Sequence, residues 1–120
     1  MGKLPNKIYD LEERTFRFAK AVSDFIKLLP KSLSNMEYSK QLIRSSSSIG
    51  ANYIEANEAL GKKDFKMRVR ISRKEAKESA YWLRLIVETN NEKQAKEGKE
   101  LYNEATELKK ILSSILLKSE

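Results

Sequence analysis

Apolar residues recur at alternating steps of three and four along nearly all of this 120-residue chain, and only Pro5 and Pro30 can break a helix outright. Such steps stack side chains on one face of a helix with about 3.6 residues per turn. A strand would need sustained polar–apolar alternation rich in β-branched residues, and no stretch has it. The pattern therefore predicts an all-α chain. At this length one domain is expected, and the 40% hydrophobic content suffices for one compact core.

Four helices follow from the punctuation. The first is expected at about 10–29, with Leu11, Thr15, Phe18, Val22, Phe25 and Leu29 on its seam and Phe16, Ala19 and Ile26 widening it. Pro30 ends it, because the residue before a proline is pushed out of the α region. Ser34 or Asn35 is the expected N-cap of a second helix at about 36–60, with a seam of Leu42, Ser46, Ile49, Tyr53, Ala56 and Leu60. Ser45 to Ser48, Gly50, Ala51, Ala56 and Ala59 make this segment rich in small residues. Serine and glycine are poor helix formers, so their presence suggests close helix–helix approach; a break near Gly50 is the competing reading. Gly61 stands where a glycine after a helix C-terminus would, and Asp64 can cap a third helix at about 64–89. Its seam is Phe65, Val69, Ser72, Ala76, Ser79, Leu83 and Ile86, and Met67, Ile71, Trp82 and Leu85 lie beside it, as if it were covered on two sides. After Asn90-Asn91 a fourth helix runs over about 92–118 on Leu101, Ala105, Leu108, Leu112 and Ile115, with Ile111 and Leu116 adding width. Short connections make successive helices antiparallel neighbours, so the expected architecture is a single up-and-down antiparallel four-helix bundle.

What is missing narrows the chemistry. There is no histidine and no cysteine. That excludes serine–histidine triads, thiolate nucleophiles, zinc–sulfur sites and histidine-bearing di-iron bundles. No apolar run is long enough for a signal peptide or a membrane span, and Asn6 replaces the Ser or Thr of a myristoylation signal, so a cytoplasmic protein is expected.

Charge is the positive clue. The net charge is +7, and nine cations against three acids lie between Gly61 and Arg84. Among them Lys66, Arg70, Arg73, Lys77 and Arg84 share one helix face by spacing. Such a face can neutralise backbone phosphates without reading sequence, or engage an acidic protein; as a plain alternative it is a solvated face or is paired with acids. No aromatic residue is interleaved with it for base stacking. A second candidate is the pair of pairs Glu55-x-x-Glu58 and Glu75-x-x-Glu78. It resembles the Glu-x-x-Glu…Glu-x-x-Asp pattern that holds magnesium in all-α nucleotide pyrophosphohydrolases of the MazG type, with Glu78 at the aspartate position. Magnesium takes oxygen ligands, so the lack of histidine does not forbid it. Tyr81-Trp82 reads as core or interface.

One stretch is more specific. Gln41-Leu42-Ile43-Arg44-Ser45-Ser46-Ser47-Ser48-Ile49-Gly50-Ala51-Asn52-Tyr53-Ile54-Glu55-Ala56 is followed by Asp64-Phe65 and by Lys74-Glu75-Ala76-Lys77-Glu78-Ser79-Ala80-Tyr81-Trp82-Leu83. It resembles the pattern Gln-x-x-Arg-Ser-x-x-Ser-Ile-x-Ala-Asn-x-x-Glu-Ala, then Asp-Phe, then Lys-Glu-Ala-x-Glu-x-x-Tyr-Trp-Leu of the four helix bundle protein family, also called the 23S ribosomal RNA intervening-sequence protein family. The resemblance implies an up-and-down bundle that assembles into a ring-like homopentamer. A distant relative is the accessory protein of diversity-generating retroelements, a basic pentamer that engages reverse transcriptase and nucleic acid. The resemblance supplies no catalytic residue, metal ligand or cofactor. Arg44, Asn52, Glu55, Lys74, Glu75, Glu78 and Trp82 fall in the motif and are expected to be structural or interfacial. Glu55 or Glu75 is expected to pair with Arg44, Lys74 or Arg84, within the bundle or across a subunit boundary.

Together these features predict a non-enzymatic, self-assembling basic adaptor whose partners are its own copies and RNA, DNA or a reverse transcriptase-like protein. A magnesium-dependent nucleotide pyrophosphohydrolase using Glu55, Glu58, Glu75 and Glu78 is the alternative.

Overall fold

A computed structural model describes residues 11–120, in four helices: α1 (Leu11–Lys27), α2 (Leu33–Asn57), α3 (Lys62–Thr89) and α4 (Glu92–Lys118). Among the described residues there is no strand, and no helix is long and apolar enough to cross a membrane. The expected start of α1 at Asp10, and the expectations for the extreme N-terminus, lie outside the described residues. Each helix packs on its chain neighbours and α1 closes on α4, with no diagonal contacts, as an up-and-down bundle requires.

The core is the predicted set of seams. Leu11, Phe18, Val22 and Phe25 of α1 are buried with Leu42, Ile49, Tyr53 and Ala56 of α2. Val69, Ala76, Leu83 and Ile86 of α3 meet Leu101, Ala105, Leu108 and Leu112 of α4 there. Full burial of each large aliphatic or aromatic side chain is worth about 1.5–3 kcal/mol, so this common interior dominates stability.

The helix ends depart from expectation. α1 stops at Lys27, and its last turn tightens: Leu28 N–H donates to Phe25 O at 3.0 Å and Leu29 N–H to Ile26 O at 3.1 Å. Such three-residue bonds are a usual way to finish a helix before a proline. The N-cap of α2 is Ser32, not Ser34 or Asn35; its hydroxyl oxygen accepts from Asn35 N–H at 3.1 Å. Asn35 is instead buried one turn inside the helix, where its amide is used in tertiary contacts. α2 ends at Asn57, three residues early, and Leu60 is left in solvent. Gly61 is the N-cap of α3 in extended conformation (φ −149°, ψ 166°), not a left-handed glycine closing α2, and Asp64 lies in the first turn of α3. Phe16 is 63% exposed and so does not widen the core stripe.

No break occurs at Gly50. Small residues there serve contact. A Cβ on Gly50 would stand 2.7 Å from Thr15 Oγ1 on α1. Ser45 Oγ lies 2.8 Å from Ser79 Oγ, and Ser72 Oγ–H donates to Ile49 O at 2.7 Å across α2 and α3. Buried hydroxyls satisfied in this way let two backbones approach closely without orphaned polar atoms. At one end of the bundle Asn35 and Asn90 exchange amide hydrogen bonds at 2.9 Å each, and their Nδ2 groups also reach Pro30 O and Ile86 O. This amide pair ties the α1–α2 connection to the α3–α4 turn.

Candidate nucleic-acid interface

α3 positions the basic face. Its core-facing residues repeat at three and four, so the residues offset by about a third of a turn, Lys66, Arg70, Arg73, Lys77 and Arg84, form a second row along the flank nearer α4. From Lys66 to Arg84 the row spans about 27 Å at 1.5 Å per residue. Its members are not equivalent. Lys66 Nζ lies 3.9 Å from a Glu120 carboxylate oxygen and Arg84 Nε donates to Glu88 at 3.1 Å. Arg70, Arg73 and Lys77 have no ion-pair partner among the described residues. The predicted face therefore divides into three uncompensated cations between two paired ends.

Two recesses flank this row. Lys62, Lys63, Lys66 and Arg70 line one of about 480 Å³ at the start of α3. The unpaired N–H groups of the helix N-terminus add positive potential there. Arg84, Val87 and Glu88 of α3 with Lys99, Tyr102 and Asn103 of α4 line another of about 330 Å³. Sequence reasoning missed the α4 residues. Nothing local to α4 marks them; they meet Arg84 only because α3 and α4 pack antiparallel in one register. No aromatic is interleaved in the row on α3 itself, but Tyr102 of α4 lines a recess together with Arg84.

The motif residues gather on the opposite flank of α3, against α2. Arg44 pairs with Glu78 at 3.6 Å, Arg68 Nη1 donates to Asn52 Oδ1 at 3.3 Å, and Asn52 Nδ2 donates to Ser48 O at 2.9 Å. Within one copy, and among the described residues, the expected pairing of Glu55 or Glu75 with Arg44, Lys74 or Arg84 does not form: Arg44 takes Glu78 and Arg84 takes Glu88. Glu75 is buried, and its Oε1 has no hydrogen-bond partner among the described residues. Burial raises its pKa above the ordinary carboxylate value, Glu78 adds to the rise, and Arg44 and Lys74 oppose it. Trp82 is half-buried, with Tyr38 6.2 Å and Tyr81 5.0 Å away between ring centroids. Met67, Ile71 and Leu85 lie on this outer side too, half-buried or exposed, so α3 is not covered on two sides within one copy.

The magnesium arrangement fails on register. Ser45 faces Ser79, Ile49 faces Ser72 and Asn52 faces Arg68, which sets Glu75 level with residues near 47. Glu55 then lies about 10 Å further along the axis. Among the described residues no three acids come together as a metal site.

Comparison with known proteins agrees with this architecture. The family model described as 23S rRNA-intervening sequence protein matches residues 8–114. A crystal structure of a protein with unknown function from the S23 ribosomal protein family of Bacteroides thetaiotaomicron VPI-5482 is 34% identical. It aligns with a TM-score of 0.76 over 88% of this chain and 96% of that one. No curated protein matches.

Proposed function

The chain belongs to the 23S rRNA-intervening sequence protein family, and from that premise we propose that it is a non-enzymatic, self-assembling cytoplasmic adaptor that binds nucleic-acid phosphates through α3. The observation behind this is the run of Arg70, Arg73 and Lys77, three cations on one face with no acid to neutralise them among the described residues. A face that served only solubility would gain from interspersed acids, as α4 has in Glu97, Glu100, Glu104 and Glu107. Exposed Met36, Ile43 and Ile54 fall on one face of α2 by their spacing and support self-assembly, since a row of exposed apolar side chains on a small domain commonly marks an interface. The homopentamer implied by the family resemblance would repeat the basic face around a ring and raise its avidity.

Binding through three phosphates carries a definite salt dependence. With a slope of about −0.7 per phosphate for single strands, raising salt from roughly 50 to 200 mM should weaken binding about 20-fold. Fluorescence anisotropy of labelled RNA and DNA at the two salt concentrations measures this. Arg70→Glu with Arg73→Glu should abolish binding while helicity and assembly size stay unchanged. Equal binding by that variant, or no binding by the wild type at low salt, would refute phosphate recognition by this face and favour an acidic protein partner.

A further inference from the structure

We propose that the recess between α3 and α4 is a nucleobase-binding subsite, so that the basic face takes single-stranded rather than duplex nucleic acid. The inference rests on the nucleic-acid reading above and deepens it. It starts from what the recess contains: the ring of Tyr102, the apolar side chain of Val87, the amide of Asn103, the ammonium of Lys99 and the Arg84–Glu88 pair. At about 330 Å³ it is within the range of small-ligand sites, roughly 300–1,000 Å³.

These groups suit a base better than a phosphate or carboxylate alone. An aromatic ring and an aliphatic wall accept a flat π-surface, which every base has. Asn103 offers both a donor and an acceptor to a base edge, and Glu88 offers acceptors. Lys99 lies one turn before Tyr102 on α4, at the right spacing to hold the phosphate attached to that base. Tyr102 is 36% exposed, and its hydroxyl has no hydrogen-bond partner among the described residues, although it sits on the flank turned toward α3. An acidic peptide would gain from the cations but nothing from the stacking surface of the ring.

Position along the row favours a single strand. Arg84 lies seven residues beyond Lys77, about 10 Å at 1.5 Å per residue. A backbone tracking Arg70, Arg73 and Lys77 thus arrives at the recess within a short stretch of chain. Bases in a duplex are stacked and paired, and extruding one costs a few kcal/mol; a single strand has them free.

The test compares a labelled single strand, the same strand in a duplex, and the same strand with its bases removed at alternate sugars, by fluorescence anisotropy at low salt. Wild type should favour the intact single strand about tenfold over the other two. Tyr102→Leu should lose about tenfold on the single strand and nothing on the duplex, and Tyr102→Phe, which keeps the ring, should bind as wild type. Circular dichroism and sedimentation confirm that the variants are folded and assembled alike. Unchanged single-strand binding by Tyr102→Leu overturns the subsite, and if Arg70→Glu with Arg73→Glu still abolishes binding, phosphate recognition stands without it. A wild type that binds no strand, or that binds an acidic peptide instead, overturns both.

Discussion

Placing a single methyl group at Gly50 tests the account of how α1 and α2 meet. In an exposed helix interior, Gly→Ala stabilises by about 1 kcal/mol through backbone entropy. Gly50 is buried, and its added Cβ would stand 2.7 Å from Thr15 Oγ1 and 3.2 Å from Thr15 Cβ. Thr15 cannot easily yield. Its hydroxyl donates back to Leu11 O at 2.9 Å and Glu12 O at 3.0 Å, and its Cβ moves only with α1, which is wedged by buried Leu11 and Phe18. Overpacking of this kind costs about 1–3 kcal/mol. The steric term should exceed the propensity gain, leaving Gly50→Ala destabilised by about 1–2 kcal/mol. A change of 1 kcal/mol moves Tm by about 4 °C in a domain of this size. Urea and thermal unfolding at matched protein concentration measure it, since self-assembly would otherwise enter the comparison. Thr15→Ala removes the 2.7 Å contact and leaves the Cβ at 3.2 Å, so adding Gly50→Ala in that background should cost clearly less than in wild type, with a coupling of about 1 kcal/mol or more. A Gly50→Ala variant more stable than wild type, or a cycle additive within about 0.5 kcal/mol, would show that no close approach exists here.

Three further outcomes follow from the same structure. Glu75 binds a proton more readily folded than unfolded, so the stability of its protonated form is fully present below the ordinary glutamate pKa and lost as pH rises through the raised one. Glu75→Gln should therefore raise Tm at neutral pH, with the gain shrinking toward zero by about pH 4; a gain equal at both pH values would contradict the assignment. Asn35→Ala strands part of the Asn90 amide at the loop end, and should lower unfolding free energy by about 1–3 kcal/mol in urea titrations. Analytical ultracentrifugation at micromolar concentration should find a species several times the 13.9 kDa chain mass, and a monomer there would refute self-assembly.

Much of this was legible in the chain, and the parts that were not share a cause. The seams Leu42–Ile49–Tyr53–Ala56 and Val69–Ala76–Leu83–Ile86 could be read directly, because a helix face is encoded every three or four residues by neighbours in sequence. The row Arg70, Arg73, Lys77 could be read for the same reason. Ends were harder. Ser32 caps α2 in place of Ser34 or Asn35 because Asn35 finds Asn90, 55 residues away, and that contact leaves no sequence trace at either position.

Periodicity and composition by themselves determined an all-α bundle, a basic face on α3, and a chain without histidine or thiol chemistry. Tertiary structure alone decided which charges stay unpaired, that Glu78 rather than Glu75 meets Arg44, that the glutamate pair of α2 stands apart from that of α3, and that Tyr102 stands beside Arg84. The division has a physical basis. Which face of a helix turns inward is set by the local 3.6-residue repeat, whereas the axial level of one helix against the next is set by side chains packing across distant parts of the chain.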